Sequence, residues 1–445
     1  MPERIKLRNL KKLGSLNLGV SQFEIIGSVV KIVGLSLEVK GVIAPVGSRC
    51  QIQSGNGSSV FADIVGFRDG LSILQALGGV DGIEPNSEVV VVSRNKSLSF
   101  SEALVGCVID PMGNVLIGND VERDISIDID RQPISISDRG VINTRFETGV
   151  KVIDMLLPLG FGQRIGLFAG TGVGKSVMMG MITRFSDADI VIVGLIGERG
   201  REVSEFAQET LSEEARKKTI IVAAPADYSP ILRMQGAEVA TAIAEHYRDK
   251  GLNVLLLMDS VTRYAQAQRE VALSAGEAPA TKGYPASVFA KLPFLIERAG
   301  AAKCGSITAI YTVLIEGDDT NDPIGDAARG VLDGHIVLSR KRAESGIYPA
   351  VDVPKSISRL SKDLLSDSDF KKIRSITALY SILDENADMI SLGMIDRGKN
   401  LLLDKAMGAA DRITDLVRQD INVSYTIKNS DDMRDNLIDD LNLVF

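Results

Sequence analysis

The chain has 445 residues, of which 45% are hydrophobic and 24% charged, which leaves room for two or three globular domains. Its formal net charge of −8 and its lack of tryptophan argue against a nucleic-acid partner, which normally requires a basic face and aromatic stacking platforms. No apolar run approaches the ~20 residues of a membrane-spanning helix. Three scattered cysteines and two distant histidines do not have the spacing of a metal site, and unpaired thiols are typical of a cytoplasmic protein.

The first 22 residues form a basic segment with leucine or isoleucine at positions 5, 7, 10, 13, 16 and 18, close to helical spacing. Two interpretations of residues 1–22 stay open. The segment is either a surface helix, or an amphipathic docking element for a partner protein or an anionic membrane surface.

Residues 23–95 contain short Val/Ile runs separated by Gly, Asn, Asp and Ser. This texture is typical of a small all-β barrel or sandwich. Residues 96–147 contain turn signals at 110–113 and 131–133, and we expect a region there that connects two domains.

Residues 148–360 have the pattern of an α/β domain. Near-continuous apolar strands that alternate with helices predict a parallel sheet covered on both faces. The strand candidates are 164–169, 190–197, 219–224, 253–259 and 306–315, and the helical stretches include 202–217 and 232–250. Residues 361–445 are predicted to be helical, and their stretch 431–440 is interpreted as a solvated acidic helix face.

The first of these strands leads into a glycine-rich loop with the sequence AGTGVGKS at residues 169–176. Strand, glycine-rich turn, Lys-Ser and helix are the layout of a phosphate-binding loop, whose glycines let backbone N–H groups surround a polyphosphate. Lys175 is placed to reach the β- and γ-phosphates, and the Ser176 hydroxyl to ligate Mg²⁺. The sequence therefore predicts a nucleoside triphosphate site that comprises Gly170, Thr171, Gly172, Val173, Gly174, Lys175, Ser176 and Val177.

Two carboxylates follow other strand candidates. Asp259 ends the run 253–259, where P-loop enzymes carry the aspartate that supports the magnesium shell. Glu198 follows the run 190–197, at the edge where open α/β sheets bind ligands. Two interpretations of Glu198 stay open: it orients the attacking water, or it forms a surface ion pair with a neighbouring arginine, Arg199 or Arg201.

Cations must also offset the charge that develops on a transferred phosphoryl group. Arg263, shortly after the strand that ends at Asp259, and Arg359, at the end of the α/β region, are the candidates. Each is also open to the ordinary interpretation of a surface ion pair.

Several long stretches together resemble the rotary ATPase superfamily, and within it the flagellum-specific ATPases and their virulence-secretion counterparts, the type III export ATPases. These stretches are IGERGREV (196–203), MDSVTRY (258–264), AQRE (267–270), GYPASVFAKLP (283–293), EGDDTNDP (316–323) and LDGHIVLSR (332–340). The resemblance implies an α/β RecA-like P-loop core with an N-terminal β-barrel and a C-terminal helical domain.

The resemblance also implies roles for individual residues. Lys175 and Ser176 serve the phosphates and Mg²⁺, with Asp259 supporting the magnesium shell, and Glu198 becomes the catalytic glutamate that activates water. Two arginines, Arg199 and Arg263, become γ-phosphate or positioning contacts. The remaining two matches are Tyr348, as the aromatic residue that packs on adenine, and Arg359, as the finger that reaches a neighbouring subunit's nucleotide.

The same resemblance implies a homohexameric ring that hydrolyses Mg·ATP to energise or prepare export substrates. Its expected partners are a regulatory stator-like protein bound by residues 1–22, export chaperones and their substrates, and an export gate at the membrane. The expected location is cytoplasmic and peripheral to the inner-membrane export apparatus. Alternatives are the catalytic subunit of a rotary ATP synthase and a nucleotide-gated assembly scaffold, and the sequence does not separate flagellar from virulence-type export.

Overall fold

The computed structural model describes residues 26–55, 57–315, 322–395 and 398–442. The amphipathic segment expected at 1–22 and most of the motif at 316–323 lie outside these residues. The chain divides into two compact units between Asn95 and Lys96. Within the described ranges, no helix is both long enough and apolar enough to cross a membrane.

The first unit contains a closed six-stranded barrel, in which the strands follow the order β1-β2-β5-β4-β3-β6. Its strands are β1 (Ile26–Val33), β2 (Ser36–Lys40), β3 (Arg49–Gln53), β4 (Ser59–Arg68), β5 (Leu71–Ala76) and β6 (Glu88–Ser93). Asp69 and Gly70 join β4 to β5 with positive φ angles of 52° and 76°, which is the two-residue turn that matches the twist of a hairpin. Inward-pointing side chains such as Leu37, Ile52 and Leu74 fill the barrel.

The second unit contains the remaining strands and all the described helices. Its strands are β7 (Ser97–Phe100), β8 (Val108–Ile109), β9 (Val115–Ile117), β10 (Ile125–Asp128), β11 (Arg145–Phe146), β12 (Leu159–Gly160), β13 (Arg164–Ala169), β14 (Ile190–Ile196), β15 (Thr219–Ala224), β16 (Asn253–Asp259), β17 (Pro279–Thr281), β18 (Tyr284–Pro285), β19 (Gly300–Ala301), β20 (Ser306–Leu314), β21 (Gly334–Val337) and β22 (Ile357–Ser358). Its α-helices are α1 (Lys151–Leu156), α2 (Lys175–Phe185), α3 (Gly200–Glu205), α4 (Glu213–Arg216), α5 (Pro230–Asp249), α6 (Val261–Ser274), α7 (Ala286–Glu297), α8 (Pro323–Val331), α9 (Arg340–Glu344), α10 (Ser361–Leu364), α11 (Asp367–Glu385), α12 (Ala387–Ser391), α13 (Leu401–Gly408), α14 (Ala410–Val417) and α15 (Ile427–Asp440).

A ten-stranded sheet forms the centre of this unit, in the order β22-β21-β13-β20-β16-β14-β15-β8-β9, with β19 beside β20. All five predicted strands are present and pair in parallel. Every residue of β14 is buried, as expected for a strand covered on both faces. The segment 96–147, expected to connect two domains, contributes β8 and β9 to one edge of this sheet.

The helix predicted at 202–217 is interrupted, so that prediction is wrong in its extent. The chain continues from α3 into a π-helical turn at Phe206–Thr210, and Leu211 then adopts an extended conformation with φ −93° and ψ 128°. Ser212 starts the next helix by accepting a hydrogen bond from the Ala215 N–H at 3.2 Å. The Ser212 cap therefore starts a new helix at a point where the apolar periodicity predicted one continuous helix.

The C-terminal region is helical, as predicted. The interpretation of 431–440 as a solvated acidic face holds for one side of α15, where Asp432, Asp439 and Asp440 are exposed, but the other side is buried. Arg434 is 1% exposed and pairs with Asp369, Asp431 and Asp435 at 2.8–3.0 Å. Asp431 and Asp435 of this helix, together with Asp369 of α11, thus surround a buried cation.

Candidate active site

The predicted phosphate loop lies between β13 and α2, at the carboxyl edge of the sheet. Gly172 and Gly174 have φ angles of +79° and +90°, a conformation that favours glycine. Val173 is 2% exposed and anchors the loop in the core. Gly174 caps α2 without any side-chain acceptor, so the first N–H groups of this helix are directed at whatever lies in front of the loop. This is the backbone arrangement that binds phosphate.

In front of the loop, Lys175 contacts two carboxylates that lie at the ends of two strands. Its Nζ lies 2.5 Å from Asp259 Oδ1 and 3.2 Å from Glu198 Oε1, and the three side chains are only 5–15% exposed. Burial lowers the pKa of the Lys175 ammonium, but the charges of Asp259 and Glu198 outweigh that effect, so its pKa lies above the ordinary value. The structure therefore brings together three of the predicted site residues, with two carboxylates in contact with one lysine that stays protonated.

The contact between Glu198 and Lys175 bears on the two interpretations of Glu198. Arg199 does not pair with Glu198: 82% of its side chain is exposed, and its guanidinium lies 3.7 Å from Glu202. Glu198 therefore faces the phosphate loop, and Arg199 is not part of the group that the structure assembles.

Thr312 is a member of this group that the sequence did not single out. It lies on β20, between the strands that carry the phosphate loop and Asp259, and its side chain is fully buried. Its hydroxyl donates a hydrogen bond of 2.7 Å to Asp259 Oδ1. A threonine in an apolar strand is a weak signal, and only the strand order places it opposite the aspartate.

Arg263 lies close to the strand end that carries Glu198. A Cβ on Gly197 would approach the Arg263 Cβ to 2.8 Å, so glycine with φ +72° is needed there for the arginine stem to pack. The Arg263 Nη1 donates to Gln266 at 3.1 Å. Its Nε is buried with no hydrogen-bond partner among the described residues, so the guanidinium is incompletely satisfied.

A cleft of about 340 Å³ opens beside these groups. Its lining includes the predicted residues Ser176, Val177, Glu198 and Asp259. It also includes residues that the sequence did not indicate, namely Arg184, Leu195, Glu202, Glu205, Phe206, Glu209, Thr210, Ile421 and Asn422. The C-terminal region thus contributes to the wall of the site.

Tyr348 lies next to the phosphate loop. A Cβ on Gly174 would lie 3.5 Å from its ring, and 45% of the residue is exposed. The structure therefore brings this predicted base contact to the same place as the loop, although α2 and Tyr348 are far apart in the chain.

Arg359 is not part of this cleft. It follows the edge strand β22, is exposed, and donates from Nη2 to the Arg329 carbonyl at 3.2 Å. Within the part of the chain that the structure describes, it has no carboxylate partner within ion-pair distance. Its guanidinium therefore lies at the surface, away from the group around Lys175.

The possible metal ligands of this site, Ser176 and Asp259, fit an Mg²⁺ ion that is bound with a nucleotide better than a metal site made by the protein alone. The described residues contain no cluster of three or more His, Cys, Asp or Glu side chains arranged to hold a metal ion. The exposed Ser176 and the carboxylate of Asp259 both line the cleft. One hydroxyl and one carboxylate suit Mg²⁺, which usually takes its other ligands from substrate phosphates and water.

Comparison with known proteins places the chain in a family. Residues 149–358 match the nucleotide-binding domain of the ATP synthase alpha/beta family, and residues 365–433 match the C-terminal domain of the type III secretion ATPase EscN. The flagellum-specific ATP synthase of Pseudomonas aeruginosa is 47% identical over 410 residues, which cover 91% of each chain.

Two solved structures are similar along most of the chain. The assembled ATPase EscN from the type III secretion system of enteropathogenic E. coli has a TM-score of 0.88 at 36% identity and covers 93% of this chain and 100% of that one. EscN in complex with its central stalk EscO gives a TM-score of 0.84 at 35% identity, with the same coverage. The chain therefore belongs to the flagellar and type III secretion ATPases of the ATP synthase alpha/beta family, and it is an ATP-hydrolysing enzyme of protein export.

Proposed function

We propose that hydrolysis takes place in the cleft beside Lys175, with Glu198 as the general base for the attacking water. One observation carries this proposal: the Lys175 ammonium lies between Glu198 and Asp259, so the phosphate-binding cation and the two carboxylates share one site. A carboxylate beside the γ-phosphate position can accept the proton of the water. Lys175, Arg263 and the N–H groups of the loop offset the charge on the phosphoryl oxygens.

Ser176 and Asp259 would hold Mg²⁺ in this proposal, and the ion would neutralise charge shared by the β- and γ-phosphates. Thr312 restricts the Asp259 carboxylate by its hydrogen bond. The loop residues 170–174 and Val177 surround the triphosphate, and Tyr348 packs against the adenine. Arg199, which the structure leaves exposed, is retained only as a contact made in another state of the site.

A ring of identical subunits, with Arg359 acting in the neighbouring site, extends the proposal to assembly. EscN, to which this chain is similar over nearly its whole length, is an assembled ATPase, and the exposed position of Arg359 supports a role outside its own cleft. A closed ring of head-to-tail contacts would place each Arg359 at the next subunit's nucleotide. We infer a homohexamer as the form of this ring.

One proposed partner is supported by these relatives, and the others rest on the resemblance of the sequence alone. EscN binds a central stalk, EscO, and we infer a comparable stalk protein for this ring. Residues 1–22 are proposed to bind a regulatory stator-like protein, with export chaperones, their substrates and an export gate as further partners. This assignment places the enzyme in the cytoplasm at the inner-membrane export apparatus. Identity of 47% to a flagellum-specific relative, against 36% to EscN, favours the flagellar branch.

Glu198→Gln tests the catalytic assignment. The amide keeps the shape of the side chain but cannot accept the proton, so we expect turnover to fall about 10³-fold while the affinity for ATP changes little. The measurements are steady-state phosphate release and equilibrium ATP binding. Glu214→Gln, an exposed glutamate outside the cleft, is the matched control and should keep full activity. Undiminished turnover in Glu198→Gln would remove this residue from catalysis, and a wild-type protein without turnover would favour the scaffold alternative.

A further inference from the structure

Gln419, which neither the sequence motifs nor the proposed mechanism uses, lies at a junction between the nucleotide cleft and the C-terminal helices. It is 7% exposed and lies two residues after the end of α14. Its backbone N–H donates to the Tyr348 carbonyl at 3.0 Å. The residue that is proposed to carry the adenine contact is therefore bonded directly to the C-terminal region.

The side chain of Gln419 joins this junction to the start of α1. Its Oε1 accepts from the Lys151 N–H at 2.8 Å, and its Nε2 donates to the Gly149 carbonyl at 2.8 Å. The amide thus pairs with a carbonyl and an N–H two residues apart, as a neighbouring strand would. It also satisfies an N–H at the first turn of α1 that no capping side chain reaches.

The turn after Gln419 reaches the cleft. The Nε2 of Gln419 also donates to the Val423 carbonyl at 2.7 Å, which closes the turn 419–423. Within this turn, the Ile421 carbonyl accepts from Arg184 Nη2 at 2.6 Å, and Ile421 and Asn422 line the cleft. Arg184 belongs to α2, the helix that begins at the phosphate loop. The buried side-chain amide therefore fixes the turn on the start of α1, and the backbone of the same segment bonds to Tyr348 and to Arg184.

We propose that Gln419 is a positioning residue for base recognition: it holds the Tyr348 backbone and the turn 419–423 in the arrangement that binds the nucleoside part of the nucleotide. The inference rests on the proposed function, in which Tyr348 contacts adenine. Among the hydrogen bonds of the described residues, none joins Gln419 to the phosphate loop, so binding of the phosphate chain should not depend on it. The C-terminal helices would thereby set the affinity for the base and leave the chemistry at Glu198 unchanged.

The test compares a ligand that has a base with one that has none. Gln419→Leu in the full chain keeps the volume and removes the side-chain hydrogen bonds. We expect the dissociation constant for ADP to rise about tenfold by calorimetry, with that for inorganic tripolyphosphate changed less than about twofold. The KM for ATP should rise in parallel at nearly constant kcat. Gln53→Leu, the same change at an exposed position on β3, is the control.

Equal weakening of both ligands would overturn the inference, because it would indicate a general loss of structure. Unchanged ADP binding would overturn it as well. If Gln419→Leu does not fold, Gln419→Glu serves instead, since its carboxylate still accepts from Lys151 but cannot donate to Gly149 or Val423. It should weaken ADP binding selectively and by a smaller factor, and the same two outcomes count against it.

Tyr348→Ala separates failure of this inference from failure of the proposed base contact. If Tyr348→Ala weakens ADP and Gln419→Leu does not, only the role of Gln419 fails. If Tyr348→Ala leaves ADP affinity unchanged, the proposed adenine contact fails, and the inference falls with it. The double variant should bind ADP no more weakly than Tyr348→Ala alone, because both changes act on one contact.

Discussion

The proposed triphosphate end and the proposed base end of the site are built in different ways. The proposed triphosphate end contains Lys175, Glu198, Asp259 and Thr312, which lie on or after the parallel central strands of one sheet. The base end joins Tyr348 to a turn at 419–423 through hydrogen bonds between segments that are remote in sequence. Sheet register fixes the first group, whereas the docking of the C-terminal helices fixes the second. We therefore expect changes at the first end to reduce turnover and changes at the second to reduce affinity.

Arg359→Ala tests whether one chain supplies every residue of the proposed triphosphate end. Of the substitutions discussed here, it should reduce turnover the most. The guanidinium lies outside its own cleft, and an arginine finger contributes on the order of 10³-fold to turnover in related phosphoryl transfers. We expect kcat to fall by about that factor while ADP affinity is retained. Steady-state hydrolysis and calorimetry measure the two quantities.

The matched control for Arg359→Ala is Arg412→Ala. Arg412 is half exposed and pairs with Asp440 on the C-terminal helices, so its loss should leave turnover unchanged. Full activity of Arg359→Ala would mean that the groups around Lys175 suffice for hydrolysis. The proposed site would then not require an arginine from a neighbouring subunit.

Thr312→Val sharpens the comparison within the triphosphate end. Valine keeps the volume but removes the hydroxyl that donates to Asp259, so the carboxylate is held less firmly for Mg²⁺. We expect the Mg²⁺ concentration for half-maximal turnover to rise about tenfold, with ADP affinity in the absence of metal unchanged. Thr241→Val, which removes a buried hydroxyl bonded to the Ala237 carbonyl in α5, is the control. An unchanged Mg²⁺ requirement would show that Thr312 has only a packing role.

Tyr348→Ala probes the base end, where we expect an effect on KM. Loss of an aromatic face that stacks on a base costs about 1–3 kcal/mol, so the KM for ATP should rise about tenfold with kcat little changed. Tyr348→Phe keeps the ring and should behave like the wild type. A fall in kcat at constant KM would place Tyr348 with the catalytic groups and contradict the division between the two ends.

The residues that meet around Lys175 could be picked out from the sequence because their signals are local. Lys175 lies in a motif with a strand before it and a helix after it, and Asp259 and Glu198 end apolar runs. Thr312 was missed because its role depends on β20 lying between β13 and β16, an order that no local pattern contains. Gln419 was missed because its role also depends on the tertiary fold. Its side-chain amide bonds to Gly149 and Lys151, which are remote from it in the sequence.

The smallest expected effect concerns the support of the base end. Asp154, 1% exposed, accepts hydrogen bonds from the N–H and hydroxyl of Thr148 and from the N–H of Gly149, the residue whose carbonyl Gln419 holds. Burial raises the pKa of its carboxyl to about 7, against donors that lower it. The folded protein therefore keeps a proton that the unfolded chain releases between about pH 4 and pH 7. The stabilisation is complete below that interval and is lost as the pH rises through it.

Asp154→Asn removes this titration, so the fall in unfolding free energy between pH 5 and pH 7 should become shallower by up to about 1.4 kcal/mol per pH unit. Urea unfolding at several pH values measures the slope, which is informative even if the asparagine destabilises the fold at every pH. Asp120→Asn, at a carboxylate whose side chain is 81% exposed, should leave the slope unchanged. If Asp154→Asn leaves the slope unchanged too, the carboxyl is ionised in the folded protein, and Thr148 and Gly149 donate to a charged group.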